Sequence, residues 1–322
     1  MLIALRAAHL ASTALLTGTM IFVVLVVGPA VRDARADPQL IAWRGQSTRI
    51  AWIGLLTAVL SGAAWLVVLA ADISGRPLHD LFTDDIVWSV LTRTRFGTDW
   101  IVRLVAALLL AGGLIALGRR PGASPRSLGA AMVTLAILFL GSLAWSGHAS
   151  GTPGIAGDVH VTADVLHLVA AGAWIGGLVP FALLLAAARR AADPAVASVA
   201  REATLRFSTL GVIAVATILV SGAVNTYVLV GSVPALVATG YGRLLLVKIG
   251  LFVAMVGIAA FNRLRLTPRL SSTRNSMDAQ RQLQRNSLIE AAMGLLILVI
   301  VGALGTLPPG LHTMPSSHVH GS

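Results

Sequence analysis

The feature that most constrains this chain is a series of long apolar runs. A bilayer core needs about 20 apolar residues for each helical span. Eight windows qualify, at about residues 2–31, 50–71, 100–117, 129–146, 159–188, 204–229, 242–262 and 287–306. Backbone groups in lipid must be satisfied within a helix or a closed barrel, and these runs lack the strict alternation of barrel strands. We therefore predict an all-α polytopic bundle of eight transmembrane helices over residues 1–310, with a short tail at 311–322.

Charge and composition indicate the orientation of the bundle and exclude other classes. The chain is 56% apolar and only 11% charged, and its net charge is +11. Most of its arginines follow spans 1, 3, 5 and 7, so the positive-inside rule places both termini in the periplasm. The basic excess is a topology signal, and we expect membrane lipid and no nucleic acid as a partner. No phosphate-binding nucleotide motif is present, and we expect no enzymatic activity.

Other parts of the sequence suggest packing roles. The loop at 72–99 mixes apolar and acidic residues, which favours a short amphipathic helix resting on the bundle as a lid. Gly172, Gly176 and Gly177 in span 5 offer a small surface for close helix approach. No internal repeat is evident along the chain.

Titratable residues inside the spans are the main functional candidates, because such side chains are costly in lipid. They are Arg6, His9, Arg103, His160, Asp164, His167, Arg243, Lys248 and Glu290. The arginines lie near outer helix ends, where we expect them to snorkel to the interface. The remaining candidates concentrate in span 5.

Four histidines form the predicted metal site. His148 emerges after span 4, His160 and His167 share one face of span 5, and His9 lies at a similar depth in span 1. We expect these four to bind metal at the outer side, with Asp164 orienting an imidazole as an acceptor. The alternative is that each histidine is a hydrogen-bonded structural residue.

Further residues are predicted to extend a route for the metal. Trp174 continues the polar face of span 5, and Lys248 could pair with Asp164 or repel cations from an empty site. Met20, Met255 and Met293 would offer soft sites deeper in the membrane, although methionine is usually a core filler. The tail adds weak capture residues, His312, Met314, His318 and His320. Imidazole and thioether without any cysteine suit copper as Cu⁺ or Cu²⁺.

Several stretches resemble a known family. "SGHA" at 146–149, "DVLHLVAAGAWIGGL" at 164–178, "YGRLLLVKIGLFVAMVGIAAFNRLRLTPRL" at 241–270 and "LGTLPP" at 304–309 are similar to the CopD/PcoD family of bacterial inner-membrane copper proteins. The resemblance implies eight helices in the cytoplasmic membrane, a role in copper resistance or uptake, and a CopC-type periplasmic copper chaperone as a separate chain. Its pattern includes His148, His167, Trp174, Tyr241, Lys248 and Asn262.

Three functions fit these residues. The first is copper binding and transport across the cytoplasmic membrane, as import from the periplasm that contributes to copper homeostasis. The second is transmembrane electron transfer, with haem b clamped between histidines. The third is a copper sensor or chaperone-docking subunit that moves no metal. The sequence leaves the oligomeric state open.

Overall fold

The computed structural model describes residues 1–31, 37–75, 77, 79–81, 85–119, 126–146, 154–191, 193–271 and 276–309, without the side chains of residues 95 and 96. These residues form ten α-helices and no strand. The helices are α1 (Leu2–Ile21), α2 (Pro38–Ser74), α3 (Ile86–Arg93), α4 (Arg95–Arg119), α5 (Arg126–Gly141), α6 (Gly154–Arg190), α7 (Pro194–Val230), α8 (Val233–Ala238), α9 (Gly240–Phe261) and α10 (Ser276–Leu304). Helix α1 continues as a π-helix over Phe22–Val27, and α9 continues as a π-helix over Asn262–Leu266.

Eight of the described helices are long and apolar enough to cross a membrane, which confirms the predicted fold class. Helices α2 and α7 begin about ten residues before their apolar windows. The cause is a shared N-terminal signal, because Asp37 and Asp193 cap the two helices and Pro38 and Pro194 follow them. Proline at the first helical position is favoured, since its missing N–H would have no partner there.

Helices α1 and α6 pack closely in the centre of the bundle. Their contact is built on glycine, as the sequence predicted: a Cβ at Gly18 or Gly176 would collide with the backbone of the other helix. Ala14 and Gly18 face Gly172 and Gly176 in a parallel register. His9 lies nine residues before Gly18, and His167 lies nine residues before Gly176. These two histidines therefore lie at nearly the same depth.

The two halves of the bundle repeat one another, which the sequence analysis did not detect. Helices α1–α5 and α6–α10 follow the same order, with a short helix after the second long one. The second helices share "TAVLSGA" at 57–63 and "TILVSGA" at 217–223, and the fourth begin with "TRFGTDWIVR" at 94–103 and "TGYGRLLLVK" at 239–248. The segment between the two motifs is much longer in the first half, so the repeat has no fixed period.

The short helix α3 is the predicted lid. It packs against α4 and buries Val90 in a cluster with Trp65 and Trp100. Below, the end of the bundle at which α2, α5, α7 and α10 begin is called the basic end, because the arginines concentrate there. Helices α7 and α9 leave large apolar side chains such as Val220 and Val253 exposed, which suits contact with lipid.

Candidate metal centre

A polar cluster joins α6 to α7 and α9 within the membrane-spanning part of the bundle. It consists of Asp164 and His167 from α6, Ser221 and Asn225 from α7, and Lys248 from α9, and is called the α6 cluster below. Nδ1 of His167 lies 3.0 Å from Oγ of Ser221, and Nε2 lies 3.5 Å from Nζ of Lys248. The imidazole is half-buried.

The hydrogen bonds of Ser221 determine the tautomer of His167. The Ser221 hydroxyl donates to the carbonyl of Thr217 at 2.6 Å, so it accepts from the imidazole. Nδ1 therefore carries the proton, and Nε2 presents a lone pair. A histidine that binds metal usually donates its other ring N–H to an oxygen in this way. His167 is thus oriented as a ligand with Nε2 available.

Oxygen acceptors lie beside this nitrogen. Asn225 donates from Nδ2 to Oδ1 of Asp164 at 3.2 Å. The Oδ1 of Asn225 is buried and has no hydrogen-bond partner. Lys248 interacts electrostatically with Asp164 as well as facing His167. The cluster therefore offers an imidazole, a carboxylate and an orphan amide oxygen to a cation, and Lys248 supplies the positive charge at present.

His160 lies on the same face of α6, about two turns from His167 towards the opposite end from the basic one. It is buried, with 1% of its surface exposed. Asp164 lies between the two histidines along the helix. His160, Asp164 and His167 therefore lie on one face of α6, as the heptad spacing predicted.

His9 is the counterpart of His167 in the first half of the bundle, and its surroundings are closed. Nδ1 lies 2.9 Å from the carbonyl of Ala58, so it carries the proton, and Nε2 accepts from Nη2 of Arg103 at 2.6 Å. The Arg103 guanidinium also donates to the carbonyl of Phe139 and to Ser142. The prediction that Arg103 snorkels to the interface is wrong, because only 1% of its surface is exposed and its two terminal nitrogens donate to groups inside the bundle.

Aromatic rings seal the His9 site. The rings of Trp65 and Trp100 lie 5.8 Å and 5.3 Å from the imidazole, between ring centroids. A Cβ at Gly62 would come within 3.0 Å of His9 Cε1. Arg103 thus lies well within hydrogen-bond distance of Nε2 of His9. In the second half, Lys248 lies only at the limit of that distance from Nε2 of His167.

The structure keeps the predicted ligands in separate sets. His9 is bonded to α2 and α4, whereas His167 is bonded to α7 and α9, although both lie at the same depth. Across the described ranges, no group of three His, Asp or Glu side chains could hold a metal ion. His148, His312, Met314, His318 and His320 lie outside the described residues. The described arrangement lends no support to a haem clamped between His9 and His167, since each is bonded to its own helices.

The predicted methionines divide between two cores. Met20 packs with α2, α4 and α5, whereas Met255 and Met293 belong to the core around Trp174. Among the described residues, the three methionines therefore do not form a continuous line across the membrane.

Sequence reasoning missed the uncharged partners of His167 and Asp164, and it gave Glu290 no role. Ser221 and Asn225 are uncharged, so a search for titratable groups inside the spans passed over them; a search for any polar side chain on the face opposite His167 would have found both. Glu290 was recognised only as an unassigned carboxyl. It lies near Trp174, and Asn262 donates to it at 2.8 Å.

Comparisons with known proteins agree with this two-part architecture. Residues 1–158 match the family model "Copper resistance protein D-like, N-terminal domain", and residues 201–304 match "Copper resistance protein D". The chain is 34% identical to Copper resistance protein D of Pseudomonas syringae pv. tomato over 95% of this chain and 96% of that protein.

Two further relatives match. Inner membrane protein YebZ of Escherichia coli strain K12 is 32% identical over 95% of this chain and 98% of its own length. Copper transport protein CutJ of Bacillus subtilis strain 168 is 31% identical over 70% of this chain and 39% of its own length. No solved structure matches the chain.

Proposed function

This chain belongs to the copper resistance protein D family, and from that premise we propose that it binds copper at the α6 cluster and carries it inward across the bacterial cytoplasmic membrane. Two relatives support this reading by name, one as an inner membrane protein and one as a copper transport protein. Eight membrane-spanning helices among the described residues agree with a multi-pass location. We place the basic end in the cytoplasm and both termini in the periplasm by the positive-inside rule.

The observation that carries this proposal is the state of His167. Its Nδ1–H is held by Ser221, and its Nε2 lone pair faces a half-exposed cluster that also contains Asp164. Imidazole is a ligand that suits copper, and the chain has no cysteine to compete for the metal. Asp164 supplies negative charge, and the orphan Oδ1 of Asn225 supplies a neutral acceptor.

Lys248 supplies the positive charge of the α6 cluster when no metal is bound. Its ammonium lies 3.5 Å from Nε2 of His167 and interacts electrostatically with Asp164. A copper ion that binds Nε2 must displace this ammonium, because two cations cannot share one lone pair. Lys248 then competes with the metal, and this competition keeps the residence time of the copper ion short.

Such competition suits transport better than storage. A site in a transport path must bind an ion strongly enough for entry and weakly enough for release. The α6 cluster offers only one imidazole and one carboxylate, so few protein ligands would hold a bound copper ion and its release would be easy. His160, about two turns nearer the opposite end, is placed to pass copper to it. A CopC-type chaperone as a separate chain, with His148 and the tail histidines, would deliver the metal at that end.

The membrane potential is a sufficient source of energy for inward movement. It favours cation entry by about 2.3 kcal/mol per charge per 100 mV. Because the chain has no nucleotide-binding motif of the P-loop type, we propose passive or potential-driven transport.

Copper uptake into proteoliposomes tests the function. We expect uptake by the unmodified protein and loss of uptake in His167→Gln. His9→Gln is the matched control, because it changes the equivalent histidine of the other half, and glutamine can still accept from Arg103. Uptake that survives His167→Gln, or that requires His9 and not His167, would contradict the proposed path.

A further inference from the structure

A cavity lies between α7, α9 and α10, about two turns beyond the α6 cluster towards the basic end. Its volume is about 370 Å³, and its walls are mostly apolar. Its polar lining residues are Trp174, Thr204, Ser208, Asn262, Arg263, Thr267, Ser287 and Glu290. Asn262 begins the π-helix that follows α9, and such local π turns are frequent at functional sites.

Glu290 is a buried carboxyl with hydrogen-bond donors and no cation. Only 2% of its surface is exposed. Asn262 donates to Oε1 at 2.8 Å, Asn286 donates to Oδ1 of Asn262 at 2.6 Å, and the Trp174 indole is directed at the same carboxyl. None of the ion pairs between described residues includes Glu290.

The surrounding helices do not supply the missing charge. Helices α6 and α7 present no ionisable group to the cavity, and the π-helix presents Arg263. That arginine donates to Ser208 at 2.9 Å instead of to Glu290. An isolated carboxylate in an apolar interior is strongly disfavoured. Glu290 therefore needs a bound cation to neutralise it.

The lining favours a proton over a metal ion. Among the described residues around the cavity there is no His or Met, so a soft metal would find no nitrogen or sulfur ligand. A proton needs only the carboxylate oxygen and a chain of hydroxyl groups or water.

The internal repeat indicates that this carboxyl belongs to the second half alone. The register of α1 and α6 pairs Trp174 with Leu16. Aligned on their shared "AAM", the motifs "LGAAM" at 128–132 and "IEAAM" at 289–293 pair Glu290 with Gly129. The first half, in which Arg103 occupies Nε2 of His9, thus has no counterpart of Trp174 or Glu290. Both residues occur only in the second half, in which Nε2 of His167 is available.

The cavity also has a route to the basic end. A second cavity of about 410 Å³ adjoins it and shares four lining residues with it, Ser208, Arg263, Leu264 and Thr267. The hydrogen bond from Arg263 to Ser208 stands at this junction. The second cavity continues to Arg201 and Ser271, near the start of α7 and after the π-helix.

From this arrangement we infer that Glu290 is a proton-binding site that takes up its proton from the basic end through the two cavities and releases it towards the opposite end of the bundle as copper enters. Exchange of one proton for one divalent copper ion still carries one positive charge inward, so the membrane potential continues to favour copper entry. The use of this proton in transport rests on the proposed function above, whereas proton binding by Glu290 does not.

Labelling with dicyclohexylcarbodiimide tests the site directly in the purified full-length protein. This apolar reagent reacts with a protonated carboxyl, whose proton passes to a nitrogen of the reagent as the oxygen bonds to its central carbon. We expect an adduct on the Glu290 peptide by mass spectrometry, which decreases as the pH is raised. The matched control is Glu202, the other glutamate of the chain, which is exposed and paired with Arg206.

The variants separate the two parts of the inference. Glu290→Gln keeps an acceptor for Asn262 and should lose all labelling, whereas Glu202→Gln should leave it unchanged. Absence of an adduct on Glu290 at any pH would overturn the proton site, whatever the copper results. In proteoliposomes, copper uptake by the unmodified protein should acidify the medium, and Glu290→Gln should abolish that acidification. Uptake with undiminished acidification in Glu290→Gln would overturn the exchange.

Discussion

The contrast between the two histidine sites leads to a quantitative prediction about pairwise coupling. In the first half, Arg103 donates to His9 at 2.6 Å and both residues are fully buried. In the second half, Lys248 lies 3.5 Å from a half-buried His167. Hydrogen bonds to charged groups contribute about 1.5–3 kcal/mol, and a contact at the distance limit contributes much less.

Double-mutant cycles measure this difference. The first cycle uses His9→Leu, Arg103→Met and the double variant, and the second uses His167→Leu, Lys248→Met and the double variant. We expect a coupling free energy of about 1.5–3 kcal/mol for the first pair, because each single change leaves a buried polar group without its partner. We expect a coupling below about 1 kcal/mol for the second pair, because its two nitrogens barely reach hydrogen-bond distance.

The assay is reversible unfolding of the purified protein in mixed micelles, titrated with a denaturing detergent and followed by tryptophan fluorescence and circular dichroism. Equal coupling in the two cycles would refute the distinction between a closed and an open site. A larger coupling for His167 and Lys248 than for His9 and Arg103 would mean that the His167 site is the closed one.

Three further predictions follow from the packing and the site. Gly176→Leu should lower the free energy of unfolding by about 1–3 kcal/mol or more, since its Cβ would strike the carbonyl of Ala14; Gly250→Leu, which faces open space, should be nearly neutral in the same unfolding assay. Asp164→Asn should weaken copper binding about 10–100-fold in competition titrations, and an unchanged affinity would exclude the carboxylate from the site. Thr239→Ala should cost about 1 kcal/mol of stability, because its hydroxyl caps the start of α9 at 2.9 Å; a variant as stable as the parent would show that the cap contributes nothing.

Much of the fold could be predicted because the lipid environment makes hydropathy a strong signal. Eight spans and the glycine contact at Gly176 follow from runs of apolar or small residues, and the lid helix α3 follows from apolar residues mixed with acidic ones. The starts of α2 and α7 could not be read from hydropathy, since polar residues such as Arg44 and Arg201 separate their first turns from the apolar windows. Their Asp-Pro caps at 37–38 and 193–194 were the available signal.

The site was predicted less completely, because sequence position gives depth and not direction. The depth of His9 and His167 was right, since both helices enter from the same end. Which helix each imidazole meets depends on how the helices rotate against their neighbours. The repeat carries that information through its matched serines, because Oγ of Ser61 lies 3.2 Å from Nδ1 of His9 and Oγ of Ser221 lies 3.0 Å from Nδ1 of His167. The unequal segments between its motifs conceal the repeat.

The central claim is that the α6 cluster binds copper and that its counterpart around His9 does not. The most direct measurement is the copper content of the purified protein after loading and removal of excess metal, determined together with protein concentration. We predict near-stoichiometric copper in the unmodified protein and in His9→Gln, and a loss of bound copper in His167→Gln. Copper that remains in His167→Gln but disappears in His9→Gln would contradict the account.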